Sequence, residues 1–165
     1  MNLELVGRHA LVCGGSQGIG RAAAMELAQL GADVTILARS REKLQAVVDS
    51  LPKTHRVQTH SCIAVDANDH DALRTHVEDL ASDRPVHILV NNSGGPPGGP
   101  AHSAKVEEYT NAFRQHLVAN QIALQATLPG MRAAAFGRVV NVISTSVKEP
   151  IDNLGVSNTV RAAVA

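Results

Sequence analysis

Three glycines set the first chemical possibility in this chain. Gly14, Gly18 and Gly20 stand in the run Cys13-Gly14-Gly15-Ser16-Gln17-Gly18-Ile19-Gly20, spaced G-x-x-x-G-x-G. Residues without Cβ let the backbone turn tightly and bring its N–H groups against a phosphate. Ser16 and Gln17 add small and polar side chains at that edge, followed by Ile19. The apolar Ala10-Leu11-Val12 precedes the turn and a helical pattern follows it. The last glycine of such a turn lets the helix pack close to the strand. Three glycines alone equally suit a strand-turn-helix that binds nothing.

Two further positions narrow the choice. After a second strand the chain reads Ala38-Arg39-Ser40-Arg41. An acidic side chain there would accept hydrogen bonds from an adenosine ribose and repel a 2′-phosphate. That acid is missing. Arg39 instead offers a planar fork of donors suited to a phosphate, with Ser40 beside it. The alternative is that Arg39 and Arg41 merely decorate a helix start, but cations are mildly unfavourable at a helix N-terminus, which argues that they serve something else. The expected ligand is therefore NADP(H) rather than NAD(H). Asp66, followed by Ala67, closes a third strand. Its carboxylate suits an adenine amino group, or it caps the next helix, a task that Asn68 or Asp69 can also perform.

The elements that must hold these residues alternate along the chain. Strands are predicted at residues 8–12, 33–38, 57–65, 86–90 and 138–143. Helices are predicted from Ile19 to Leu30, from the Ser40 cap to about Ser50, from Asn68 or Asp69 to about Asp83, and from about Lys105 to Ala134. A last helix starts near Ser157 and is unfinished at Ala165. The segment 94–100, with four glycines and three prolines, can be neither helix nor regular strand. Alternation of this kind gives a parallel sheet with helices on both faces, with ligands bound beyond the carboxyl ends of the strands. The glycine turn, Arg39, Asp66, Asn91 and Ser144 converge there.

Composition excludes other classes. The chain has 165 residues, read as one domain over 1–165, with formal net charge +0, so no nucleic-acid or membrane surface is expected. Aromatic residues make up only 2%, so the core must be aliphatic. Cys13 and Cys62 read as free buried thiols, and the histidines show no metal-ligand spacing. No apolar run approaches a transmembrane length, and no leader precedes the glycine turn, so a cytoplasmic location is expected.

Together these motifs resemble the short-chain dehydrogenase/reductase family, single-domain proteins of Rossmann type. The matching runs are Cys13 to Gly20 for T-G-x-x-x-G-I-G and Asn91-Asn92-Ser93-Gly94 for N-N-A-G. Leu128-Pro129-Gly130-Met131, read as a turn, and Gly137 to Ser144 also match. The resemblance covers essentially the whole chain. It implies contacts to the cofactor from Asn92 and Gly94, a small-molecule carbonyl or alcohol substrate, and a homodimer or homotetramer. It also implies further C-terminal strands and a substrate-covering segment, which this sequence lacks. The implied chemistry is that of a 3-oxoacyl-carrier-protein-reductase-like enzyme; the alternative is an NADP(H)-binding protein without catalysis, a sensor or assembly subunit.

The family's catalytic group comprises an Asn, a Ser, a Tyr and a Lys. Ser144 occupies the Ser position. By the family's spacing Ser157 stands in place of the Tyr, Arg161 in place of the Lys and His116 in place of the Asn. A serine hydroxyl is a far weaker acid than a phenol, whose pKa is about 10. Arg161 can still donate to ribose hydroxyls, but it stays charged where a lysine is tunable. His116, with an ordinary pKa of about 6.5, is either a proton-transfer group near neutrality or a helix-face histidine bonded to a backbone carbonyl. Tyr109, the only tyrosine, lies off register. His102 is placed at the substrate entrance, and Lys148 either in solvent or reaching the cleft.

Overall fold

A computed structural model describes residues 3–165. Five strands, β1 (His9–Cys13), β2 (Asp33–Ala38), β3 (His60–Ala64), β4 (Ile88–Asn91) and β5 (Arg138–Asn141), form one sheet. Their order is β3-β2-β1-β4-β5, and every pairing is parallel. The connections are α1 (Gly18–Gln29), α2 (Arg41–Ser50), α3 (His70–Asp83), and a long helical path of α4 (Val106–Phe113) and α5 (Ala119–Ala133). A final helix, α6 (Gly155–Val164), follows β5. The expected doubly wound architecture is present.

Strand alternation divides the core into two layers. Ala10, Val12, Val34, Ile36, Ile88 and Val90 pack with Ala24 and Ala28 of α1 and Leu44 and Val47 of α2. Leu11, Leu37 and Leu89 point the other way, onto Leu73 and Val77 of α3 and Ile122, Ala123 and Met131 of α5. Aliphatic side chains fill both layers, so the paucity of aromatics costs the fold nothing. Among the described residues no helix is long and apolar enough to cross a membrane.

Four predicted elements need correction. Strand β3 begins at His60, not residue 57, because Gln58 turns inward. Its amide donates to the carbonyls of Ala28 and Ala32, both at 2.7 Å, and its oxygen accepts from the Thr54 N–H at 2.8 Å. Satisfying those buried groups outweighs the strand propensity of Val57, which is left exposed. The long helix is interrupted by a π-helical stretch, residues 114–118, with His116 in its middle. Leu128 to Met131 is not a turn but part of α5. Finally, α6 starts at Gly155, which places Ser157 inside its first turn.

The amino ends of the strands carry a polar network, buried at His9, Thr35 and His87. His9 Nε2 lies 2.8 Å from Thr35 Oγ1, which lies 2.9 Å from Ser61 Oγ. The His9 backbone N–H donates to His87 Nδ1 at 3.0 Å, and that of Val34 to His60 Nδ1 at 3.2 Å. Arg84 donates to Asp33 at 2.8 Å. Burial, with the Arg84 charge second, holds the His9 imidazole down at about 4. Burial likewise lowers His60 and His87. Each ring is neutral in the native state, whereas the unfolded chain takes up protons at about 6.5. Stability from these rings is complete above about pH 6.5 and is lost as pH falls below it, for His9 down to about 4. Urea unfolding should therefore show a falling midpoint over that window, and His9→Gln should reduce the pH slope. A midpoint independent of pH there would contradict the neutral network.

Candidate cofactor cleft

Aligned strand ends put the carboxyl termini of β1, β2, β3 and β4 along one rim, and a cleft of about 410 Å³ opens there. Its lining contains Gly14, Ser16, Gln17, Gly18 and Ile19 from the turn, then Arg39, Ser40 and Lys43 after β2. Asp66, Ala67 and Asn68 follow β3, and Asn92, Ser93 and Gly94 follow β4. All predicted cofactor residues except Gly20 line this one cleft. Gly20 lies beneath it and is buried.

Backbone proximity explains Gly20. A Cβ there would collide with the Gly14 carbonyl oxygen and come within 2.8 Å of Asn92 Nδ2. Gly18 is required for a different reason: its φ is +56°, while an added Cβ would meet nothing within 4 Å. That open side of the turn is the cradle a phosphate needs, so the residues present fit a dinucleotide. Asn92 Nδ2 donates to the Gly14 carbonyl at 3.4 Å, and so braces the turn from β4.

Capping assignments separate Ser40 and Asp66. Ser40 Oγ accepts from the Lys43 N–H at 3.4 Å and opens α2. Asp69, not Asp66, caps α3, accepting from the Ala72 N–H at 3.1 Å. Asp66 Oδ1 accepts from the Asn68 N–H at 2.9 Å, which fixes the carboxylate at the rim. Helix capping therefore does not account for Asp66. Arg39 is exposed beside it on the β2 side.

The four candidate catalytic residues lie elsewhere, at the carboxyl end of β5 and around α6, and none lines the cleft. Ser144 Oγ accepts from the Ser146 N–H at 3.1 Å and caps a 3₁₀ turn, Thr145–Val147. Arg161 donates from Nη1 to the Val142 carbonyl at 2.9 Å, tying α6 to the end of β5. Ser157 is buried one helical turn before it. His116 is buried too, and its Nδ1 lies 2.6 Å from Ser93 Oγ. Burial, with the Arg161 charge second, holds its imidazole at about 4. Both sequence expectations for His116 are thus corrected: its partner is a hydroxyl rather than a backbone carbonyl, and its ring does not titrate near neutrality.

Sequence reasoning missed Lys43, Gln115 and Asn120, which also line the cleft. Lys43 was findable, one helical turn beyond Arg39 and Ser40. Asn120 and Gln115 were not, because their exposure depends on the long helix's path. His102 sits exposed in a 3₁₀ turn, Ala101–Ser103, outside the cleft, and Lys148 is exposed. Cys13 and Cys62 are free and half-buried, and burial of its sulfur pushes the Cys13 thiol up to about 12. Among the described residues no group of three or more His, Cys, Asp or Glu can hold a metal ion.

The family model for short chain dehydrogenase matches residues 8–165, and the chain belongs to that family of oxidoreductases. Hydroxysteroid dehydrogenase-like protein 1 of Gallus gallus is 34% identical over 146 residues, 87% of this chain and 44% of that protein. Inactive hydroxysteroid dehydrogenase-like protein 1 of Homo sapiens is 30% identical over 154 residues, 92% of this chain and 46% of that one. Among solved structures, L-sorbose reductase from Gluconobacter frateurii, complexed with NADPH and L-sorbose, superposes with a TM-score of 0.91. It is 27% identical, over 99% of this chain and 62% of that one. The chain spans about half the length of the curated relatives it matches.

Gly20→Ala and Gly18→Ala should behave differently. The first should lower stability by about 2 kcal/mol or more, because backbone must move to admit the methyl. The second should cost about 1–2 kcal/mol, from the positive φ alone. Urea unfolding of both variants checks this, and equal losses would contradict the close approach at Gly20.

Proposed function

We propose that this chain binds NADP(H) and serves an oxidoreductase that interconverts a carbonyl and an alcohol. The observation that carries the reading is one cleft joining the glycine turn, the Arg39-Ser40-Lys43 cluster and Asp66. The N–H groups of the turn would take the pyrophosphate, at the start of α1. Arg39, Ser40 and Lys43 would take the 2′-phosphate as charge-assisted donors. Asp66 would accept the adenine amino group. NADPH bound to the sorbose reductase that this chain resembles supports the same cofactor class.

When bound, the dinucleotide supplies hydride to, or accepts it from, the substrate carbon. The chain's part is orientation and proton handling. Ser144 would hold the carbonyl oxygen once its hydroxyl leaves the 3₁₀ cap or donates from it. Arg161, fixed through Val142, would offer its remaining N–H groups to ribose hydroxyls. Neither Ser157 nor a neutral His116 matches a phenol as acid, so turnover should be slow, by roughly 10²–10⁴ relative to a placed general acid.

Two observations favour a second reading, dinucleotide binding without hydride transfer. Ser144 and Arg161 are both engaged with backbone groups. The human relative is called inactive.

Arg39→Ala should weaken NADPH binding about tenfold while leaving NADH nearly unchanged, since one exposed charge-assisted contact is lost. Parallel fluorescence titrations test this; an equal loss for both nucleotides would remove Arg39 from the phosphate site. Incubating bound NADPH with ketones, aldehydes and 3-oxoacyl thioesters then separates the readings. Oxidation of NADPH above the blank supports the enzyme, and none across the panel supports the binding protein.

A further inference from the structure

The loop after β4 is anchored by three side-chain contacts in succession. Asn92 donates to the Gly14 carbonyl at 3.4 Å, and Gln115 Nε2 donates to the Gly94 carbonyl at 3.3 Å. Between them Ser93 Oγ meets His116 Nδ1 at 2.6 Å. In the outer two the direction of donation is fixed, because a carbonyl only accepts. The middle one has two possible directions. A neutral imidazole carries one N–H and one bare nitrogen. Either Ser93 donates to a bare Nδ1, or Nδ1–H donates to Ser93 and leaves the serine O–H for another partner.

The far side of the ring decides. His116 Nε2 is buried and has no hydrogen-bond partner among the described residues. The neighbouring charge that acts on the ring is the Arg161 guanidinium, which offers no acceptor. An N–H at Nε2 would be a buried donor without an acceptor. A bare Nε2 leaves only a lone pair unfilled, the lesser loss. The proton therefore belongs on Nδ1.

We propose that His116 donates through Nδ1–H to Ser93, so that the Ser93 hydroxyl is a fixed hydrogen-bond donor directed to an acceptor oxygen of the dinucleotide in the cleft. The inference rests on the dinucleotide reading above. Ser93 lines the cleft between Asn92 and Gly94, both assigned to the cofactor, whereas His116 lies behind it. The serine's oxygen accepts from the ring, and its single O–H remains for the cleft. Dinucleotides present acceptor oxygens throughout: ribose hydroxyls, phosphates and the nicotinamide carboxamide. His116 is a positioning residue, acting through Ser93. The two residues belong together, since an alanine at position 93 would leave the buried Nδ1–H without its acceptor.

Nitrogen NMR of the histidine rings in the ligand-free wild-type chain tests the direction of the bond. The expected signature is a protonated Nδ1 and a bare Nε2 for His116; a proton on Nε2 overturns the proposal. Titration with NADPH tests the role. Ser93→Ala should weaken binding about five- to tenfold, the loss of one hydrogen bond. His116→Asn, which keeps an N–H for Ser93, should stay near wild type, and His116→Phe should match Ser93→Ala. Unchanged affinity in Ser93→Ala overturns the donor. If the wild-type chain shows the Nδ1 proton but binds no NADPH, the dinucleotide reading fails and takes the assigned acceptor with it. A proton on Nε2 with normal NADPH binding overturns the donor alone.

Discussion

The cleft depends on one backbone approach. The first turn of α1 comes so close to the carboxyl end of β1 that Gly20 has no room for a methyl beside the Gly14 carbonyl. The same carbonyl accepts from Asn92, so the ends of β1 and β4 are locked to the start of the helix. Two positive-φ glycines, Gly14 and Gly18, carry the chain through the turn between them. Widening this junction would move the turn's N–H groups away from the rim that holds Arg39 and Asp66. The junction is therefore where fold and cleft are the same structure.

A second constraint acts at the opposite end of the sheet. The His9, Thr35 and Ser61 side chains form a hydrogen-bonded row across three parallel strands where an aliphatic core would be expected. Neutral rings satisfy those strands' polar neighbours without placing charge in the core. The price is sensitivity to acid, which buried His116 shares at the cleft end. The cleft and the His9 row thus occupy opposite ends of the same strands.

Most of the fold was legible because strand and helix periods were clean. Residues 33–38 were read with the observed bounds, the Ser40 cap could be named from residue type, and that of α3 was narrowed to Asn68 or Asp69. What was not legible came from long-range satisfaction of polar groups. Gln58 shortens β3 by bonding to carbonyls around the end of α1, and no local pattern announces that. His116 could be placed on the long helix, but not its π stretch, its burial or its serine partner. In the site, the glycine turn, Arg39 and Asp66 were visible as motif residues at strand ends, and all three reach the cleft. The substitutions at Ser157 and Arg161 were visible too, although the backbone contacts of Ser144 and Arg161 emerge only from packing.

The family assignment and the cleft agree on a dinucleotide, while the end of the site near β5 and α6 departs from the family's usual acid. The central claim is therefore about binding, and calorimetric titration of the intact chain with NADPH addresses it directly. A saturable single-site isotherm whose affinity falls as salt screens Arg39 and Lys43 is the expected result. No saturable binding at low ionic strength, in a chain shown to be folded, would contradict the account.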